Sequence, residues 1–110
     1  MHDDSIQGII KQNRPIYLRN KFNVYWKTYI KYRTNLEADE RVFLLTKACL
    51  FYLRLMATRH KEANLSHLFK ALELEIGLPK AVSYVILCKL AFLLKRGEVV
   101  GVRIFNFFFD

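Results

Sequence analysis

The sequence predicts a mostly helical protein of one domain that ends in a small β-hairpin. The chain has 110 residues, enough for one domain with a hydrophobic core, and 53% of them are hydrophobic. Only 4 Gly and 2 Pro interrupt it, so its long apolar stretches favour helices. Residues 98–110 are instead rich in β-branched and aromatic side chains, which favour strands.

The first segment, residues 1–36, is predicted to form a basic, aromatic arm followed by a helix. We expect irregular chain up to about residue 20, because Pro15 and a scatter of Asn, Gln and Gly favour it. Residues 22–33 show helical spacing. One side of this helix carries Phe22, Trp26, Tyr29 and Arg33, and another carries Lys27 and Lys31.

Positive charge is concentrated in this segment. No acidic residue lies between Ser5 and Leu36, and the whole chain has a net charge of +8. Such a balance suits a polyanion, either nucleic acid or an acidic membrane surface, although a basic surface that only aids solubility is the alternative. The aromatic rings either stack on bases or pack in the core. The residues expected to contact DNA phosphates are Arg14, Arg19, Lys21, Lys27 and Lys31.

A long helix is predicted from Asn35 to about His60. Asn35 or Thr34 can cap it, and acidic residues follow in the first turn, where the helix dipole favours them. Residues 42–57 are apolar nearly all round, so this helix needs cover on most faces. A second copy of the chain would supply that cover, which predicts a homodimer; the rest of the same chain is the alternative. The run is too short and too charged for a membrane span, so none is expected.

Two shorter helices joined by a tight turn are predicted next. Ser66 caps the first, over residues 68–76, and Gly-Leu-Pro at 77–79 forms the turn. Glycine permits a positive φ there, and proline suits the first turn of a helix, where no hydrogen-bond donor is lost. The second helix runs from Lys80 to Lys95, and Gly97 ends it.

The tail is predicted to form the hairpin. Its strands would be residues 98–100 and 103–109, with a bend at Gly101. These strands would be apolar on both faces, so we expect one face to meet the helix at 42–57 or a partner protein.

This order of elements, from about Ala38 to Phe109, resembles the winged helix-turn-helix family of DNA-binding domains over about two thirds of the chain. The resemblance implies a winged-helix domain at 37–110, with an additional N-terminal helix and an extended segment at 62–65. It also implies that the helix from Lys80 to Lys95 enters the major groove. The implied base-reading residues are Lys80, Ser83 and Tyr84, and the implied DNA-backbone contacts are Ser66, Arg96 and Arg103.

The sequence is therefore interpreted as that of a sequence-specific double-stranded DNA-binding protein, a small transcriptional regulator. A homodimer of this kind reads two half-sites about one helical turn apart. One alternative is a protein-interaction subunit whose winged-helix scaffold docks through its apolar C-terminal tail. The other is a basic protein that lies on a membrane surface through the helix at 22–33.

The sequence contains no recognisable catalytic or metal-binding motif, so we expect no enzyme, cofactor or metal site. His60 and His67 belong to no HExxH motif, and neither cysteine has zinc-site spacing. Cys49 and Cys88 lie in apolar helical stretches and are expected to be buried free thiols, although a disulfide between them is the alternative. The acidic N-terminus lacks the layout of a signal peptide, which predicts an intracellular protein, cytoplasmic or nucleoid-associated.

Overall fold

The computed structural model describes residues 14–58 and 65–109, and all regular structure in these two ranges is helical. The five helices are α1 (Arg14–Tyr32), α2 (Ala38–Ala57), α3 (Leu65–Glu75), α4 (Leu78–Leu93) and α5 (Gly97–Phe109). Sequence reasoning placed the second, third and fourth helices within a few residues of these bounds. The predicted extended segment at 62–65 lies outside the described residues, except for Leu65, which begins α3.

Helix α2 is at the centre of the bundle. All four other described helices pack against it, whereas α1 packs against α2 alone. Helix α4 packs between α3 and α5, which do not touch each other. Most of the apolar surface of α2 is thus covered from within one chain, although Phe43 is 56% exposed. This removes the reason for which a homodimer was expected.

Helix α1 binds α2 through its aromatic rings. Phe22 lies against Tyr52 with ring centroids 5.3 Å apart, and Tyr25 stacks on Phe51 at 5.7 Å. Trp26 stacks on Tyr29, which is almost fully buried. These inward rings therefore pack in the core, which was one of the two alternatives. The expectation of irregular chain was wrong for residues 14–20, because Pro15 lies in the first turn of α1, where a proline costs no hydrogen bond. The rest of that predicted arm, residues 1–13, lies outside the described residues.

The start of α2 differs from the predicted one. The helix begins at Ala38 and its N-cap is Glu37, rather than Asn35 or Thr34. The backbone N–H of Glu37 donates to the Glu40 carboxylate at 3.4 Å. Arg41 then connects this end of α2 to the end of α3, because its guanidinium donates to Glu75 at 3.0 Å and to the Leu36 carbonyl at 2.6 Å.

The turn between α3 and α4 lies where it was predicted. Gly77 has a φ of +123°, in the region that side chains disfavour, and Leu78 begins α4 directly after it. Pro79 falls in the first turn of α4. Local chemistry therefore specifies this turn.

The predicted C-terminal hairpin was wrong. Residues 97–109 form α5, so there is no wing, no strand at 98–100 or 103–109, and no bend at Gly101. Gly97, Gly101 and Phe105 recur every four residues and form the buried side of α5. Phe105 and Phe109 both lie edge-on to Tyr84, with centroids 6.2 Å away. Packing against α4 thus overrides the strand propensity of the tail, and the winged-helix assignment is withdrawn.

Candidate nucleic-acid and protein interfaces

The outer face of α1 is basic. Lys27 and Lys31 are one turn apart, exposed, and on the side of α1 that faces away from Phe22 and Tyr29. Lys21 is also exposed, with its ammonium 5.8 Å from the centre of the Tyr17 ring. Among the described residues none of these three lysines has an acidic partner, and residues 14–36 contain no acid at all.

The two arginines of this segment that were predicted to bind phosphate do not add to this exposed face. Arg19 is half-buried and engaged with another residue. Arg14 begins α1, but its side chain lies outside the described residues. The candidate phosphate-binding face is therefore the three exposed lysines of α1, named here the α1 lysine face.

The three residues predicted to read bases do not form one surface. Lys80 is exposed at the N-terminal turn of α4, with its ammonium 5.9 Å from the centre of the Phe109 ring. The Ser83 hydroxyl donates to the Pro79 carbonyl at 2.9 Å. Tyr84 is fully buried and donates to the Cys49 carbonyl at 2.7 Å, and burial raises the pKa of its phenol well above the ordinary value. A side chain held in this way does not reach a base edge.

The remaining backbone-contact candidates are on different elements. Ser66 is in the first turn of α3, Arg96 is in the connection between α4 and α5, and Arg103 is on α5; all three are exposed. None of them is on α1 itself or on α2, the helix against which α1 packs. The structure thus separates these residues from the α1 lysine face instead of joining them around one groove.

The outward side of α4 is apolar, and sequence reasoning did not identify it as a surface. Its exposed residues recur every four positions: Leu78, Val82, Ile86 and Leu90, followed by Leu94 just after the end of α4, each between 43% and 54% exposed. We name this row the α4 ridge. The sequence could have indicated this surface, because apolar residues lie on every side of α4 and one side stays uncovered unless a partner covers it.

A groove runs beside this ridge, between α3 and α4. Its volume is ≈ 630 Å³, and its apolar lining includes Leu65, Phe69, Val85 and Ile86, with Lys89 as the only charged residue. Apolar side chains can touch a thymine methyl group but cannot make the hydrogen bonds that distinguish base pairs. The exposed face of α4 is therefore better suited to a protein than to the edges of bases.

None of the described helices has both the length and the apolar character that crossing a bilayer requires. Comparison of the chain with protein-family models, with curated proteins and with solved structures found no match. The α1 lysine face and the α4 ridge are thus the features from which a function can be inferred.

Proposed function

We propose that the protein binds double-stranded DNA through its phosphate backbone, with the α1 lysine face as the contact surface. The observation that carries the proposal is the one-sided charge of α1: exposed lysines on its outer side, the rings of Phe22, Trp26 and Tyr29 packed inward, and no acid in residues 14–36. A net charge of +8 favours the approach of a polyanion from a distance.

The geometry of α1 supports this proposal. Lys27 and Lys31 are separated by about 6 Å along the helix axis, since each residue advances about 1.5 Å. Successive phosphates along a DNA strand are also a few ångströms apart, so each of the two ammonium groups can neutralise a phosphate at the same time. The rings of α1 already fix the helix on α2, so binding does not have to order it. Lysine–phosphate contacts position a protein without reading sequence.

Sequence-specific reading and a role in transcription stay predictions. Of the residues implied by the resemblance, Lys80 and Ser83 remain at the surface of α4, whereas Tyr84 is in the core. Selection of preferred sites from random duplexes would measure any such specificity. A DNA-binding function places the protein with the DNA, in agreement with the intracellular location expected from the sequence.

The salt dependence of DNA binding tests the α1 lysine face. The variant Lys27→Gln/Lys31→Gln removes two charges from it, and Lys70→Gln/Lys95→Gln removes two charges from exposed positions on α3 and just after α4 as a matched control. Log K falls as log salt rises, and each lost phosphate contact makes this slope shallower by roughly 0.9. The slope of the α1 variant should therefore be shallower than that of the wild type by roughly 1.8. The control should keep the slope of the wild type. Fluorescence anisotropy with a random duplex measures both.

Two outcomes would contradict the proposal. Equal weakening by both variants would show that only net charge matters, and absence of duplex binding by the wild type at low salt would exclude DNA as the ligand. Binding to vesicles of anionic lipid in place of DNA would favour the membrane-surface alternative. Trp26 and Tyr29 pack inward and are not free to insert into lipid, so that alternative would have to use the exposed Tyr17, Val24 and Ile30 of α1.

The α4 ridge favours a second candidate function, protein interaction. A small protein rarely exposes a contiguous apolar row along a whole helix unless that row binds something. This candidate keeps the interaction role considered from the sequence but moves it from the C-terminal tail to α4. The homodimer expected from the sequence stays a proposal, because the other helices of the same chain cover most of α2.

A further inference from the structure

We infer that the groove between α3 and α4 binds an amphipathic helix of another protein, one that carries acidic residues beside its apolar face. This inference rests on the second candidate function, the interaction surface of α4, and it specifies the chemistry of the partner. It does not depend on DNA binding by α1, since α1 packs against α2 alone.

The groove and the α4 ridge form one continuous surface. Val82 and Ile86 belong to both, because they line the groove and are exposed residues of the ridge. Every residue that lines the groove is at least partly exposed. A small molecule there would keep much of its surface in water, whereas sites for small molecules bury most of the ligand. A protein segment is therefore the better occupant, and a helix, which is about 10 Å wide, covers the groove together with the adjacent side of the ridge.

The chemistry of the groove favours a helix over an extended segment. An extended peptide needs partners for its backbone N–H and C=O groups, which a sheet edge supplies, and all regular structure in the described ranges is helical. Of the side chains that line the groove, only Ser66 and Lys89 are polar. A helix satisfies its own backbone hydrogen bonds, and apolar residues at every third or fourth position place one face in such a groove.

Lys89 sets the charge that this helix must carry. It is the only charged residue of the groove, it is exposed, and among the described residues it has no acidic partner. Lys89 also borders a second apolar hollow of ≈ 260 Å³, which is formed with Met56, Phe92 and Leu93. A positive charge thus lies between two apolar patches. A partner that covers both patches must bring a carboxylate to Lys89 or leave its ammonium group desolvated without a counter-ion.

Neither helix of the groove supplies that carboxylate itself. Helix α4 contains no acidic residue. Of the two in α3, Glu75 pairs with Arg41 at 3.0 Å and Glu73 does not line the groove. The net charge of +8 adds a long-range attraction for an acidic partner. Acidic residues beside the apolar face of the partner helix are therefore the complement of this surface.

Selection from a library of displayed helical peptides tests the inference. The peptides, about 18 residues long, carry leucine at helical spacing on one face and random residues at the positions that flank it. The wild type should enrich Asp and Glu beside the leucine face. An enriched peptide should bind Lys89→Glu at least about tenfold more weakly, because like charges then meet. Changing the glutamates of that peptide to lysine should restore its binding to Lys89→Glu.

Arg103→Glu is the matched control for charge. It makes the same change at an exposed residue of α5, a helix that does not contact α3, and it should bind the enriched peptide within about twofold of the wild type. Ile86→Asp places an acid in the groove and should weaken binding, whereas Val24→Asp on α1 should not. Both of these positions are more than half exposed, so both variants should keep the circular dichroism of the wild type.

Four results would overturn the inference. Equal weakening by Lys89→Glu and Arg103→Glu would show attraction to net charge alone. Selection of helices without acidic preference would keep the α4 ridge as an interaction surface but exclude the acidic partner, whereas selection of no helix would exclude both. A wild type that sediments as a dimer, with Ile86→Asp as a monomer, would assign the surface to a second copy. The lysine variants of α1 test DNA binding separately in every case.

Discussion

At Gly97 the contact between α4 and α5 leaves room for nothing larger than hydrogen. A Cβ atom built there would lie 1.9 Å from the Ala91 carbonyl oxygen, whereas one built at Gly101 would lie 3.3 Å from the Ala91 Cβ. The first obstacle is backbone at a distance that no real Cβ contact shows, whereas the second is a methyl carbon that is only a few tenths of an ångström too close. Gly97 and Gly101 both lie on the buried side of α5, but a side chain at Gly97 would meet a much closer obstacle than one at Gly101.

We predict that Gly97→Ala lowers the free energy of unfolding by about 3 kcal/mol or more, since the backbone of α4 or α5 must move. Gly101→Ala serves as the control. We expect it to be close to neutral, because alanine's advantage over glycine in a helix, about 1 kcal/mol, offsets the tighter contact. Urea denaturation of both variants measures the difference. Equal stability of the two variants would show that α5 does not approach Ala91 as described.

Tyr84 and Ile86 show how two neighbours on one helix acquire opposite roles. Tyr84 is fully buried between α2 and α5, and its hydroxyl donates to Cys49. Ile86, two residues later, points to the other side of α4 and is 54% exposed. Since apolar or aromatic residues lie on every side of this helix, composition alone did not indicate which side would be buried.

At the scale of the element, α5 can be distinguished from the hairpin that was expected in its place. In a strand, Phe105 and Phe107 would share one face, because side chains alternate. In the helix they point in different directions: Phe105 is 1% exposed and Phe107 is 83% exposed. The pair therefore reports directly on the conformation of the tail.

We predict that Phe105→Ala lowers the free energy of unfolding by about 3–5 kcal/mol, as expected for a buried phenylalanine. Phe107→Ala is the matched control and should change it by less than about 0.5 kcal/mol. Chemical denaturation followed by circular dichroism provides the measurement. Similar decreases in the free energy of unfolding for the two variants would indicate that the tail is a strand and not a helix.

The α1–α2 pair shows where element-level reasoning from sequence succeeded. The predicted spacing placed Phe22, Trp26 and Tyr29 on one side of a helix, and the structure packs that side on α2. It placed Lys27 and Lys31 on another side, and both are exposed. Helical periodicity is a local property, so it could be read without knowing the packing partner.

Across the whole molecule, α2 separates the two candidate surfaces. Helix α1 packs against α2 alone, while α4 packs against α2, α3 and α5. A partner bound to the α4 ridge therefore need not contact the α1 lysine face.

Where α2 meets α4, three groups make the stability of the whole fold depend on pH. Burial raises the pKa of Cys49 and Tyr84 well above their ordinary values, and it raises the pKa of Cys88 from 9.0 to about 12. The folded protein therefore keeps protons that the unfolded chain releases in alkaline solution. The stabilisation is complete below pH 9 and is lost as the pH rises towards 12.

We predict that the free energy of unfolding falls above pH 9, by up to about 1.4 kcal/mol per pH unit for each retained proton. Cys88→Ala removes one of these protons and should make the decline shallower between pH 9 and 12. Urea denaturation at a series of pH values measures both slopes. Identical slopes for the variant and the wild type would mean that Cys88 does not hold its proton in the folded state.

The sequence by itself determined the local features: the approximate positions of α2, α3 and α4, the turn at Gly77, and the separation of rings from lysines on α1. Each depends on backbone preference or on spacing within a few residues. Only the tertiary structure decided that the tail is helical, that Tyr84 is buried and that Ile86 is exposed. Those outcomes depend on how closely α4 and α5 approach at Gly97, and on which side of an all-round apolar helix meets α2.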